Sequence, residues 1–308
     1  MSRKPRLVVV GSINMDVVIE AIRPPRMGET VMGESVRFIP GGKGANQAVA
    51  AARLDADVHM IGVVGGDPFG HTLLDSLRGS GVDTAAVRVL DDVPSGVAGI
   101  TLAGGDNSII VVPGANGRLS PDDVAAHEDR IAEADAVLLQ LEIPMETVIA
   151  AARTAKRRGV RVMLNPAPVR ELPDELLALT DVICPNRIEL ETLTGLPAEG
   201  KALPKAMRQL RQRGAGQVVV TLGADGAAFL DERDHWGTEP GRSVRVVDTT
   251  GAGDAFHAGL AVALAEGRSL PDAVRFAVCT GSLAVTRFGA QTGMPSRREV
   301  DELESRKN

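Results

Sequence analysis

The run Arg6-Leu7-Val8-Val9-Val10-Gly11-Ser12-Ile13-Asn14-Met15-Asp16 decides the fold. Its first half carries no polar side chain on either face after Arg6, so both faces need apolar cover, as in a parallel sheet held between helix layers. Similar short aliphatic runs return at 58–64, 136–139, 160–164, 182–184 and 218–222, and helical patterns lie among them at 45–54, 144–158 and 203–213. Strand and helix in alternation predict an α/β domain of three layers, α/β/α, around a mainly parallel sheet. The last third turns helical, with patterns over 252–266, 270–286 and a short charged tail from 296.

Two regions interrupt the alternation. Residues 13–39 and 96–112 hold short β-branched pieces separated by Gly, Pro and Asn with no helix between them, which predicts antiparallel strands. Neither region is long enough to build a core, so the economical arrangement is a single domain over 1–308 with one small projecting sheet, a lid formed by about 14–39 and 96–112.

Composition narrows the function classes. Thirty-four basic against forty acidic side chains give a net charge of -6, with no basic arm to follow a phosphate backbone, so no nucleic-acid partner is expected. No run reaches 18 apolar residues and no signal-peptide core follows Met1, so no membrane partner is expected either. Cys184 and Cys279 lack metal-ligand spacing and have apolar neighbours, which places the chain in a reducing cytoplasm. With six Phe, one Trp and no Tyr the core must be aliphatic. The thirty-four glycines serve either loops of unusual geometry or a close approach of backbone to ligand, and position decides between these.

Position points to a ligand first at Val247-Asp248-Thr249-Thr250-Gly251-Ala252-Gly253-Asp254-Ala255-Phe256, a strand-like piece entering a helix through a glycine turn. Gly251, Ala252 and Gly253 leave the unpaired N–H groups of the first helical turn open to a phosphoryl group. Asp254, kept charged by the helix N-terminus, would accept the proton of a hydroxyl attacking the terminal phosphate of a nucleotide; the competing reading is a simple helix cap. Pro40-Gly41-Gly42-Lys43-Gly44-Ala45-Asn46 is not a P-loop, because Gly44 follows Lys43 where Ser or Thr is required. It offers instead backbone donors, an ammonium and an amide, suited to a polyhydroxylated ligand or to a turn alone. Asn14 and Asp16, two residues apart in an extended segment beyond the first strand, share one side and suit sugar hydroxyls or a local bend.

Together with Pro25 through Gly28-Glu29-Thr30 and Asn165-Pro166-Ala167-Pro168, these segments resemble the ribokinase-like, or PfkB, family of carbohydrate and nucleoside kinases over nearly the whole chain. The resemblance implies that family's fold and ATP-dependent phosphorylation of D-ribose at the 5-hydroxyl. It makes Asn14, Asp16, Gly42, Lys43, Asn46 and Glu142 sugar contacts and Asp254 the base. It puts the nucleotide at Asn186, at Thr221-Leu222-Gly223-Ala224-Asp225-Gly226 and at the Gly251–Gly253 turn. It implies Mg²⁺, with Glu189 of Asn186-Arg187-Ile188-Glu189 in its indirect environment, and K⁺ at Asp248, Thr250, Ala284, Arg287, Gly289 and Gly293. Val278 stands where related kinases often have Asn or His near adenine, and Gly293 replaces a serine associated with the cation.

Other readings stay open. A deoxyribose, fructose or nucleoside kinase would keep the same phosphate machinery, although Asn14, Lys43 and Glu142 favour a free pentose. A non-catalytic sugar-binding or regulatory protein would show itself by loss of Asp254 or the glycine turn, and both are present. An exposed lid edge would allow a homodimer. The five histidines do not form a metal site; His257, three residues after Asp254, is the one placed to face the same cavity.

Overall fold

The computed structural model describes residues 3–104 and 106–306. The main sheet has nine strands, and β1 (Arg6–Val10) lies in its interior, third from one edge. On one side of β1 lie β4 (Asp57–Gly65) and β5 (Asp83–Leu90), and on the other β8 (Ala136–Leu139), β9 (Arg161–Leu164), β10 (Val182–Ile183) and β11 (Gln217–Thr221), all parallel. Two antiparallel strands, β12 (Ala227–Leu230) and β13 (Trp236–Glu239), finish that edge.

Side-chain alternation in β1 explains the layers. Leu7 and Val9 enter one core with the helices Lys43–Arg53, Ala252–Ala265 and Leu270–Ala284, while Val8 and Val10 enter a second core with Met145–Arg157 and Leu203–Gln212 on the opposite face. The helix Ala252–Ala265 is apolar all round and buried from Asp254 to Leu264, so it runs through the interior rather than along the surface. Both cores are aliphatic; Phe276 and Phe256 are the buried aromatics. Both cysteines are buried free thiols, and no helix among the described residues is long and apolar enough to cross a membrane.

A separate four-stranded sheet stands off this body, in the order β3 (Ser35–Gly41), β2 (Asn14–Glu20), β6 (Gly96–Ala103), β7 (Asp106–Val112). The two hairpins are antiparallel as expected, but β2 and β6 join them in parallel, from Asn14 opposite Gly96 to Glu20 opposite Leu102. The reason is that both strands leave the body at the same place and run outward together, a relation no local pattern encodes. Strands β5 and β13 were not marked by an aliphatic run because each is an edge strand, with charged or exposed side chains at alternate positions. Trp236 starts the edge strand β13.

Candidate active site

The order of the main sheet reverses between β1 and β8, and in such sheets the carboxyl ends of the two diverging strands frame the ligand crevice. The chain beyond β1 supplies Ser12 and Asn14, and the chain beyond β8 supplies Glu142. The Glu142 Oε2 accepts from Ser12 Oγ at 2.5 Å, from the Lys43 N–H at 3.3 Å and from Asn14 Nδ2 at 3.4 Å. Asn116 fixes the Asn14 amide by donating to its Oδ1 at 2.7 Å, while also bonding both the N–H and the C=O of Ile13. The donating end of Asn14 therefore faces Glu142 and the crevice.

The helix Lys43–Arg53 can start this close to β1 because Gly42 precedes it. Gly42 has φ +90°, and a Cβ there would lie 2.7 Å from the Asn14 nitrogen and 2.9 Å from the Ser12 oxygen. The first turn of that helix meets the first turn of Ala252–Ala265 at Asp254, whose Oδ2 accepts from Asn46 Nδ2 at 3.0 Å and whose Oδ1 accepts from Gln47 Nε2 at 3.2 Å. Asn46 Oδ1 is buried with no hydrogen-bond partner among the described residues, an acceptor left for a ligand hydroxyl.

Four acids and one base share this space. Burial raises Asp254 above the usual carboxylate range, against the opposing pull of Lys43 and the two amides. Burial, reinforced by Glu142 and Asp254, pushes Asp16 up to about 7. Burial works against the Lys43 charge, but Asp254, Glu142, Glu189 and Asp16 outweigh it and hold the ammonium above its ordinary value. A ligand rich in hydroxyls would find carboxylate acceptors and one fixed cation here.

Beside Asp254 opens a cavity of about 470 Å³, bordered by Lys43, Asn186, Thr221, Leu222, Gly223, Gly251, Gly253 and Glu189. Thus Asp254 and Lys43 stand between the crevice and this cavity. Asn186 and Glu189 close a reciprocal N-cap, each side chain bonding the other's backbone N–H at 2.8 Å, and burial raises the Glu189 carboxyl. Ala224, Asp225 and Gly226 do not border the cavity: Asp225 pairs with Arg187 at 2.6 Å at its margin, and a Cβ on Gly226 would meet the Glu239 carbonyl at 2.1 Å, so this glycine serves the packing of β13. Ala252 lies in the first turn of the helix without bordering the cavity, and Val278 is buried in the core with no polar atom to offer.

Asp16 borders a second, narrower space of about 120 Å³ between the inner face of the small sheet and the loops holding Asp248–Thr250 and Phe288–Ala290. Asp248 ties those loops together, accepting from the Thr250 N–H at 2.9 Å, Thr250 Oγ1 at 2.7 Å and the Gly289 N–H at 2.8 Å. A Cβ on Gly293 would lie 2.7 Å from the Ala284 carbonyl and 3.5 Å from that of Arg287. Gly293 thus packs closely on the Ala284 carbonyl with that of Arg287 beside it, and carbonyl oxygens are the donor type that a monovalent cation takes. Among the described residues no three His, Cys, Asp or Glu converge as a metal-binding group.

His257 does not face either space. It is fully buried, its ring lies beside the Met163 backbone, and burial pushes it down to about 4. Sequence reasoning passed over Ser12, Gln47, Asn116 and Gln140, which hold the site residues in place. Their signal was available only as polar residues inside aliphatic surroundings at strand ends.

The model of the pfkB carbohydrate kinase family matches residues 4–297. The ribokinase of Haemophilus influenzae is 42% identical over 299 residues, covering 96% of this chain and 97% of its own. The deoxyribokinase of Salmonella typhi is 36% identical over 299 residues, with 96% and 97% covered. The solved structure of Arabidopsis thaliana ribokinase complexed with ribose and ATP superposes with a TM-score of 0.92 at 38% identity, covering 99% of this chain and 100% of that one.

Proposed function

The chain belongs to the pfkB family of carbohydrate kinases, and we propose that it transfers the terminal phosphoryl group of ATP to the 5-hydroxyl of D-ribose, giving ribose 5-phosphate and ADP. The observation that carries this reading is the place of Asp254: a buried carboxylate on the first turn of a helix, held between a hydroxyl-binding crevice and a nucleotide-sized cavity. Ribose is bound by Asn14, Asp16, Lys43, Asn46 and Glu142, with the Gly42 backbone beside them. ATP occupies the cavity along Asn186 and Thr221–Gly223, its phosphates over Gly251–Gly253.

Asp254 takes the proton from the 5-hydroxyl as that oxygen attacks the terminal phosphorus and the bond to the bridging oxygen of ADP breaks. No covalent enzyme intermediate is needed, because positioning and charge stabilisation supply most of the acceleration. The Gly251–Gly253 N–H groups and Lys43 meet the charge that spreads onto the transferred group. Glu189, on the cavity wall, would belong to the surroundings of a bound Mg²⁺, which would add charge neutralisation on the phosphates. K⁺ fits the Ala284 and Arg287 carbonyls beside Asp248, Thr250, Gly289 and Gly293, where it would order the anion turn. The small sheet serves as a lid that excludes water from the phosphoryl group. Its exposed apolar side chains Val36, Phe38, Ile110 and Val112 are the proposed homodimer contact. The reaction is assigned to the cytoplasm.

The similar deoxyribokinase keeps one neighbouring substrate in view. A site that hydrogen-bonds a hydroxyl rejects the analogue lacking it, so the fixed Asn14–Glu142 pair favours ribose. ADP release should be followed with ribose, deoxyribose, fructose and nucleosides, with and without potassium. The expected result is highest kcat/KM on ribose and stimulation by potassium; no activity on any of them would leave only a sugar-binding role.

A further inference from the structure

Asp254 is held by two neutral amides, one on each oxygen, and their other ends differ. Asn46 has an unpartnered oxygen, so no second bond fixes its amide. Gln47 is fully buried and committed on both ends. Its Oε1 accepts from Gln140 Nε2 at 2.7 Å, and its Nε2 donates to Asp254 Oδ1 at 3.2 Å with Asn165 Oδ1 at 3.4 Å. A flipped Gln47 amide would set N–H against N–H at Gln140 and oxygen against carboxylate at Asp254, so the orientation is fixed.

Gln140 is held by packing. It follows the aliphatic strand β8 as a fully buried amide, and its Oε1, without a hydrogen-bond partner among the described residues, lies against Gly11, where there is no room for a Cβ. The contacts run from Gly11, just beyond β1, through Gln140 and Gln47 to the carboxylate, joining the interior of the main sheet to the helix Ala252–Ala265. Two buried glutamines at the switch point of an aliphatic core carry a desolvation cost that packing alone does not explain.

We propose that Gln47, held by Gln140, is a positioning residue for phosphoryl transfer: with Asn46 on Oδ2 and Gln47 on Oδ1, each oxygen of Asp254 has one neutral donor, and the Gln47 bond fixes the orientation in which the carboxylate takes the hydroxyl proton. This inference rests on Asp254 being the base. A neutral donor suits the task. Lys43 already lowers Asp254 against burial, so a second cation on Oδ1 would hold the carboxylate too weakly basic, whereas no donor there would let burial carry it further toward the protonated form at neutral pH.

The test is steady-state kinetics against pH on the full chain, with Gln47→Leu, Gln140→Leu and Asp254→Asn in parallel. Loss of the Gln47 donor is expected to lower kcat about 10–100-fold with the KM for ribose within about threefold, and to move the acid limb of kcat/KM upward by about one unit. Gln140→Leu, which frees the Gln47 amide without touching Asp254, is expected to move kcat and the acid limb in the same directions by less. An unchanged acid limb in both glutamine variants, or losses confined to KM or to thermal stability, overturns the positioning role even if Asp254→Asn is inactive. Near-normal turnover by Asp254→Asn overturns the base assignment instead.

Discussion

Asp16 is the residue at which binding and stability conflict most clearly. Its carboxyl ionises near 3.8 when free and at about 7 in the folded site. Because the folded value is raised, the protonated form is favoured by folding; stability contributed by Asp16 is fullest below pH 3.8 and is lost as pH rises through about 7. Asp16→Asn removes this cost and is expected to stabilise the ligand-free protein by up to about 4 kcal/mol at pH 8 and by about 1–2 kcal/mol at pH 5, while weakening ribose binding. Chemical denaturation at the two pH values checks it; equal effects at both would remove the electrostatic explanation. Residues such as Asp16, Lys43 and Asp254 were legible in the sequence because charge in a glycine-rich or strand-end setting has few structural uses. Gln47, Gln140 and Asn116 were not, because a buried amide takes its meaning from partners 93 to 207 positions away.

Among the elements, the entry to the helix Lys43–Arg53 carries the tightest constraint. Gly42 combines a left-handed backbone angle with a close approach to Asn14 and Ser12. Gly42→Ala is expected to destabilise the fold by about 1–3 kcal/mol and to raise the KM for ribose, since relief of the clash must move either the helix or Asn14. A melting temperature and KM both unchanged would show that the loop relaxes without disturbing the site. The alternation of aliphatic runs and helices revealed six of the seven parallel strands of the main sheet, since strands covered on both faces write themselves continuously into sequence. Edge strand β5 and the parallel pairing of β2 with β6 were illegible: the first is half polar, and the second depends on where two distant strands leave the body.

For the whole molecule, the small sheet leaves apolar side chains outside while its inner face borders the space beside Asp16. If copies pair through it, mass in solution is twice that of the chain, and Ile110→Glu, at a residue 74% exposed, shifts the protein to monomer. Light scattering on both proteins checks this; a wild-type monomer removes the dimer. Phosphoryl transfer turns most on Asp254, the proposed base between the crevice and the cavity. The most direct measurement is turnover and ribose binding by Asp254→Asn beside the wild type, with ATP, Mg²⁺ and K⁺ present. The expected result is ribose-dependent ADP release by the wild type, a loss of about 10²–10⁴-fold in kcat for the variant, and ribose affinity within about tenfold. Turnover within a few-fold of wild type in the variant would contradict the account.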